Sequence, residues 1–250
     1  MRRQSVLVSC VCLVLLAAPQ AWGSYSRSSV YMYDLSWTGD VDIVGHNSAG
    51  HIQIFDRFPY GPIINHVGED KDSLTPYVEV KVELPNAIAS AAAGFDNSDG
   101  YWASGDAQAG VPLADYLSAN GWSAQTVYFQ ALSGGTVSFS TAYSVNYETM
   151  LTGLPRASVG HTAILFVKSG DDWASDRASG NQWIYNQNPW EQSYFGALTV
   201  SMDLNAGDTV RASLIPSASA TVTYVPAPGA FALAGIGLGF VGWLRRKRRI

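Results

Sequence analysis

The chain has 250 residues, and its charges are unevenly distributed along it. Residues 24–225 carry eight Lys and Arg against all 20 Asp and Glu, a net charge of −12, whereas the two ends are basic. A body this acidic repels phosphate backbones, which argues against nucleic acid as a partner.

The first 23 residues have the three parts of a secretory signal peptide. A basic start at 2–3 precedes an apolar run at 6–18, and Ala21 and Gly23 stand at positions −3 and −1 of a cleavage site. The alternative is a buried core helix, but the segment shows no amphipathic pattern. From the cleavage site we expect a mature chain that begins at Ser24. We expect Sec export, because the residues after the arginine pair do not match a twin-arginine signal.

Both cysteines, Cys10 and Cys12, fall within this signal peptide. A domain that spans 24–225 can therefore form no disulfide and must rely on a packed core. About 200 residues suffice for one such domain. The sequence shows neither a repeat of fixed period nor a low-complexity linker that would divide it.

Period-two alternation recurs through the body and predicts strands. Along 78–84, Val and Leu alternate with Glu and Lys, which is typical of a strand with one wet face. Segments 126–131 and 137–141 alternate on either side of a Ser-Gly-Gly turn and predict a hairpin. The apolar run at 161–168 predicts a central strand.

A second hairpin is predicted from 198–204 and 210–214, which flank the turn Asn205-Ala206-Gly207-Asp208. Val222 and Tyr224 are assigned to a final strand. Two short helices are predicted, at 86–93, which is rich in alanine, and at 112–120, which begins with Pro and precedes Gly121. The pattern favours an all-β domain: a single β-sandwich, jelly-roll-like, with one or two short helices.

Two acidic segments are candidate calcium ligands, because Ca²⁺ prefers closely spaced oxygen atoms. Asp96 and Asp99 stand in Asp-Asn-Ser-Asp-Gly, and Asp171, Asp172 and Asp176 form a second acidic segment. Neither spacing matches an EF-hand loop, and an ordinary Asx-rich turn is the alternative. No other cofactor is predicted.

Tryptophans among polar residues suggest a glycan site. Trp173 lies near Asp172 and Asp176, and Trp183 follows Asn181. An aromatic ring can stack on the C–H groups of a sugar while carboxylates and amides bind its hydroxyls. The alternative for each ring is ordinary packing. Trp173, Trp183, Asp172 and Asp176 are the candidate glycan-binding residues, on what we expect to be loops.

Catalytic patterns are weak. The sequence contains no GxSxG elbow, no HExxH motif and no cysteine nucleophile in the body. Glu79 and Glu83 could be paired as glycosidase carboxylates, but both are expected on the wet face of a strand, where solvated carboxylates are usual. We therefore predict a protein that is not an enzyme, and a secreted hydrolase is the third class of function considered.

The C-terminal segment 226–250 has three parts. Pro226, Ala227 and Pro228 precede 15 uncharged residues at 230–244. A basic tail follows: Arg245, Arg246, Lys247, Arg248 and Arg249. As a helix, 230–244 would reach about 22 Å, short of a hydrocarbon core of about 30 Å, a gap that snorkelling arginines and local thinning can close. The basic tail predicts a cytoplasmic end, with the body outside.

This layout resembles the PEP-CTERM sorting signal, with Ala227 in place of the usual glutamate between the prolines. Other sorting schemes fit less well: a GPI signal lacks a basic tail, and no sortase-type LPxTG motif is present. The resemblance covers a tenth of the chain. It implies a Gram-negative bacterium, processing near 226–228 by an exosortase-like enzyme, and a final place at the cell surface or in the extracellular matrix.

The sequence thus predicts a non-enzymatic exported protein, held in the inner membrane as a precursor and then associated with exopolysaccharide or biofilm. Its expected partners are inner-membrane lipid, an exosortase-like enzyme and extracellular polysaccharide. A carbohydrate-binding module is the alternative.

Overall fold

The computed structural model describes residues 25–57, 63–72, 77–84, 87–96, 100–110, 116–151, 156–185 and 189–223. The predicted signal peptide and the predicted sorting signal lie outside these residues. The described residues form strands and no helix. The strands are β1 (Tyr25–Thr38), β2 (Val41–Arg57), β3 (Ile63–Asp72), β4 (Tyr77–Leu84), β5 (Ala87–Asp96), β6 (Gly100–Gly110), β7 (Tyr116–Ala131), β8 (Gly135–Met150), β9 (Arg156–Ser169), β10 (Asp172–Tyr185), β11 (Trp190–Leu204) and β12 (Thr209–Thr223).

In the described part of the chain these strands make two six-stranded antiparallel sheets. Sheet 1 has the order β11-β8-β1-β6-β5-β4, and sheet 2 has the order β10-β9-β12-β7-β2-β3. The two sheets stack in the same order, so that β1 lies over β12 and β6 over β7. Inward side chains of both sheets form one core, as in a sandwich. The all-β sandwich prediction is confirmed at this level.

The middle of the core is built from alanine and glycine. Most inward positions on β5 and β6 are alanines, among them Ala91 and Ala107. A β-carbon at Gly121 of β7 would overlap the carbonyl oxygen of Ser90 and lie 2.7 Å from that of Asp106. One at Gly105 of β6 would lie 2.5 Å from the carbonyl oxygen of Gly121. The sheets therefore meet backbone to backbone here, and only the smallest side chains fit.

This close approach explains why both helix predictions are wrong within the described residues. The alanine-rich segment from 87 to 93 belongs to β5, and 116–120 belongs to β7. Alanine has high helix propensity, but its small volume is what the narrow space between the sheets requires. Gly121, expected after a helix, lies inside a strand for the same steric reason.

The two predicted hairpins are also wrong, although their strands exist. β7 belongs to sheet 2 and β8 to sheet 1, and β11 and β12 are likewise in different sheets. The turns at 132–134 and 205–208 therefore cross from one sheet to the other. They meet at one end of the sandwich, where Gly207 N–H donates to the Ala131 carbonyl (2.8 Å) and Ala131 N–H donates to the Asp208 carbonyl (2.9 Å).

Other strand predictions agree with the structure. Segment 78–84 lies in β4, with Val78 buried and Glu79 facing solvent. Segment 161–168 lies in β9, an internal strand between β10 and β12. Val222 is part of β12, the same long strand as 210–214. Tyr224 lies outside the described residues.

Candidate functional site

The two candidate tryptophans lie on strand β10 and not in loops. Trp173 and Trp183 pair with Lys168 and Ser158 of β9, and their side chains are 65% and 55% exposed on the outer face of sheet 2. Ten residues of strand separate them, which is about 33 Å. They therefore lie at opposite ends of one edge strand and cannot stack on the same sugar ring.

The two candidate carboxylates lie on the opposite side of this strand. Asp172 and Asp176 occupy even positions of β10, whereas the tryptophans occupy odd ones, and successive side chains of a strand point to opposite faces. Asp176 Oδ2 accepts a hydrogen bond from the Thr199 N–H of β11 (3.0 Å), and its Oδ1 accepts from the Arg177 N–H (2.8 Å). Asp176 thus joins the edges of the two sheets, and the expected grouping of tryptophan with aspartate is not formed.

At one end of β10, Trp173 is part of an aromatic and cationic stack. Its ring stacks on Phe166 of β9, with centroids 6.1 Å apart and planes at 23°. The Arg211 guanidinium of β12 lies 5.6 Å from the centre of the Phe166 ring. Lys168 stands opposite Trp173 in the β9–β10 register. Three adjacent strands therefore present rings and positive charge together.

The other end repeats this combination. Trp183 and Tyr185 lie two residues apart on the outer side of β10, and both are more than half exposed. The Arg156 guanidinium of β9 lies 5.4 Å from the centre of the Tyr185 ring.

Between the two ends lies a polar depression of about 420 Å³, within the range of about 300–1,000 Å³ that is common for ligand pockets. Its lining is mostly small and polar: Gly160, His161, Thr162, Arg177, Ser179, Gly180, Asn181, Ser217 and Ser219. Gly160 keeps it open, because a β-carbon there would lie 2.7 Å from the Ser219 Oγ. Hydroxyl, amide and guanidinium groups thus converge on a shallow groove between two aromatic ends.

We call the outward residues of β9, β10 and β12 the basic face. No carboxylate occupies any outward position of these three strands. Four cations do: Arg156, Lys168, Arg177 and Arg211. The outward positions of sheet 1, by contrast, include the carboxylates Glu79, Glu83, Asp106, Glu148 and Glu191. These three strands of sheet 2 therefore differ in the sign of their outward charge from the outer face of sheet 1.

Sequence reasoning missed most of this face, including Phe166, Arg177 and the serines of β12. A signal was available in the odd positions of β10, which read Trp, Ser, Arg, Ser, Asn, Trp and Tyr from 173 to 185. Because β10 is an edge strand with little apolar alternation, its sequence does not predict a strand.

Beneath the depression, His161 points inward between the sheets. Its Nδ1 is hydrogen-bonded to the Tyr147 hydroxyl, which also lies 3.3 Å from the Gly180 carbonyl oxygen. Trp190 and Tyr194 surround the pair. Burial lowers the pKa of His161 and raises the pKa of Tyr147 to about 12, with a contribution from Tyr194. Tyr147 is buried in the core, whereas His161 is half-buried and also lines the depression.

The remaining predicted sites have different outcomes. Asp96 ends β5 and Asp99 lies outside the described residues, so the calcium prediction stays a prediction. Among described residues, no three His, Cys, Asp or Glu are grouped to hold a metal. Glu79 accepts a hydrogen bond from the Tyr77 hydroxyl (2.5 Å) and Glu83 pairs with Lys81 (3.2 Å).

Glu79 and Glu83 are also too far apart for glycosidase chemistry. Four residues along β4 correspond to about 13 Å, beyond the separation of about 5–9.5 Å that glycosidases use. Both side chains lie on the exposed face of an edge strand.

The proposed sorting residues Pro226, Ala227 and Pro228 and the basic tail at 245–249 lie outside the described residues, as does the predicted span at 230–244. The described residues include no helical segment that could span a membrane. Comparison with known proteins finds no matching family model, no similar curated protein and no similar solved structure.

Proposed function

We propose that this chain is a non-enzymatic exported protein that binds polysaccharide at the cell surface or in the extracellular matrix. The observation that carries the proposal is the outer side of β10, where exposed aromatic rings flank a groove of hydroxyl, amide and guanidinium groups. Rings stack on the apolar faces of sugars, and polar groups bind their hydroxyls. The proposal thus combines the two functions expected from the sequence, association with an extracellular matrix and carbohydrate binding.

The sorting half of the proposal depends on the sequence of 226–250. A Pro-Ala-Pro element, an apolar segment and a basic tail support a membrane-held precursor that an exosortase-like enzyme processes. The test is to fuse 225–250 to an inert secreted reporter in a Gram-negative host that has an exosortase. We expect a membrane-bound precursor followed by a processed surface form. A reporter that is released freely, with no precursor, would contradict this half.

The binding half is tested on the full-length protein with immobilised polysaccharides. Trp173→Ala and Trp183→Ala should each weaken binding about three- to tenfold, since an aromatic contact contributes about 0.5–1.5 kcal/mol. Phe195→Ala is the matched control, because Phe195 is an aromatic side chain on the outer face of sheet 1 that is 74% exposed. Equal effects of all three changes, or none, would exclude this face as the site.

A further inference from the structure

We infer that the polysaccharide bound by the basic face is acidic, carrying carboxylate or sulfate groups at intervals along its chain. This inference rests on the proposed function and names its ligand class. It follows from the charges of the basic face and not from the aromatic rings, which would suit any sugar.

The four cations of the basic face have no carboxylate partner within the described structure, although Arg156 and Arg211 lie against aromatic rings. Arg156, Lys168, Arg177 and Arg211 form no ion pair with any described carboxylate. On sheet 1 the situation is the reverse. Arg27 pairs with Asp106 (2.6 Å) and Lys81 pairs with Glu83 (3.2 Å).

In a body of net charge −12, half of the eight Lys and Arg lie on this one face without a carboxylate partner. Carboxylates are plentiful elsewhere in the chain, yet none occupies an outward position of β9, β10 or β12. Cations that are present without neighbouring carboxylates remain available to an anionic ligand. Charge of one sign gathered on a single face steers a ligand of the opposite sign to it.

The spacing of the charges favours a long anionic ligand over a small one. Lys168 and Arg211 share one rung with Trp173, and Arg177 lies four residues further along β10, about 13 Å away. Arg156 shares the rung of Tyr185, about 26 Å beyond Arg177. A single small anion would contact one of these positions. Double-stranded DNA, with one charge per about 1.7 Å, would also lie against the acidic rest of the body and be repelled by it.

The groove between the rungs supplies the remaining contacts for a sugar chain. Ser179 and Asn181 of β10 and Ser217 and Ser219 of β12 lie at consecutive outward positions beside Arg177. An extended chain that follows β10 would meet an aromatic and cationic end, this polar groove, and a second aromatic and cationic end.

The test compares binding of the purified full-length protein to polygalacturonate, which is carboxylated, and to dextran of similar length, which is neutral. We expect polygalacturonate to bind at least about tenfold more tightly, and added salt to remove this advantage because exposed ion pairs are screened. The variant K168Q/R177Q/R211Q should lose about tenfold in affinity for polygalacturonate. Lys81→Gln is the control for loss of positive charge outside the basic face, because Lys81 lies on sheet 1, and it should not change the affinity.

The outcomes separate this inference from the function on which it rests. Equal binding of dextran and polygalacturonate, with no effect of the triple variant, would overturn the acidic ligand while leaving polysaccharide binding in place. Binding of neither polymer would count against both. Equal affinity for double-stranded DNA or for anionic phosphatidylglycerol vesicles would overturn the assignment to a polysaccharide, because the face would then recognise negative charge alone.

Discussion

Gly121 is the residue at which the two sheets come closest. Its α-carbon faces the carbonyl oxygens of Ser90 and Asp106, so a methyl group must push the sheets apart. We expect Gly121→Ala to lower the free energy of unfolding by about 1–3 kcal/mol, which is typical of overpacking. Urea unfolding followed by tryptophan fluorescence measures this.

Gly45→Ala is the matched control, because Gly45 also lies in a strand but the nearest atom to its added methyl would be a Tyr128 ring carbon at 3.9 Å. Its effect should stay within about 0.5 kcal/mol. If the two substitutions cost the same, the close approach of the backbones is not what requires glycine at 121.

His161 makes stability depend on pH. Burial between the sheets lowers its pKa in the folded state below the ordinary value of 6.5. The unfolded chain therefore binds a proton first as the pH falls, and stability that is fully present above pH 6.5 is lost below it, down to the folded-state pKa. Unfolding free energies measured between pH 5 and 8 should show this decline.

Replacing His161 with Gln should remove that decline, although it also changes the contact with Tyr147 and lowers stability at every pH. His51→Gln is the control, since His51 packs against Trp122 on the outer face of sheet 2. If the His161→Gln protein kept the full decline in stability between pH 5 and 6.5, that decline would come from other titrating groups.

At the scale of the strand, the sequence allowed many elements to be predicted but not their partners. Alternation at 78–84 identified β4 because one face is buried and the other solvated. The same alternation on both sides of 132–134 could not distinguish a hairpin from a crossing between sheets, since both place apolar residues inward. Pairing is decided by distant strands: β8 pairs with β1 and β11, far away in the chain.

The residues of the candidate site could likewise be predicted from the sequence, but not their neighbours. Trp173 and Trp183 could be selected from composition alone, but their grouping with Asp172 and Asp176 assumed a loop. On a strand, the side chains of even and odd residues point to opposite faces. The residues next to the two rings therefore come from β9 and β12. Lys168 and Arg211 become neighbours of Trp173 through register, which a local pattern does not contain.

Edge strands need protection against pairing with other chains, and Asp176 provides some of it. Its carboxylate binds the Thr199 N–H of β11 across the gap between the sheet edges. We expect Asp176→Ala to lower the free energy of unfolding by about 1 kcal/mol and to increase self-association. Sedimentation velocity and urea unfolding measure the two effects.

Asp172→Ala, on the same strand, is the control, and it should leave both quantities unchanged. Loss of stability without any self-association would mean that the Asp176 contact joins the two edges but does not protect them.

For the whole molecule, the architecture predicts a gradient of local stability. The strands in the middle of the sheets, β1 and β6 over β12 and β7, have partners on both sides and the tightest packing. Within the described residues, the edge strands β3, β4, β10 and β11 each have a row of backbone groups without a strand partner. Because amide exchange follows local opening, we expect hydrogen exchange to be slowest in the four middle strands and fastest at the edges.

Ligand binding should then change this gradient on one side only. A polysaccharide that lies along β10 should slow exchange in β10 and β9, while β4, at the opposite edge of the other sheet, should exchange as before. Hydrogen exchange with mass spectrometry on the full-length protein, with and without polygalacturonate, measures both edges in one experiment. β4 is thus an internal control, since a general increase in stability would slow both edges together. Protection of β4 alone would place the ligand on sheet 1 and contradict the basic face as its site.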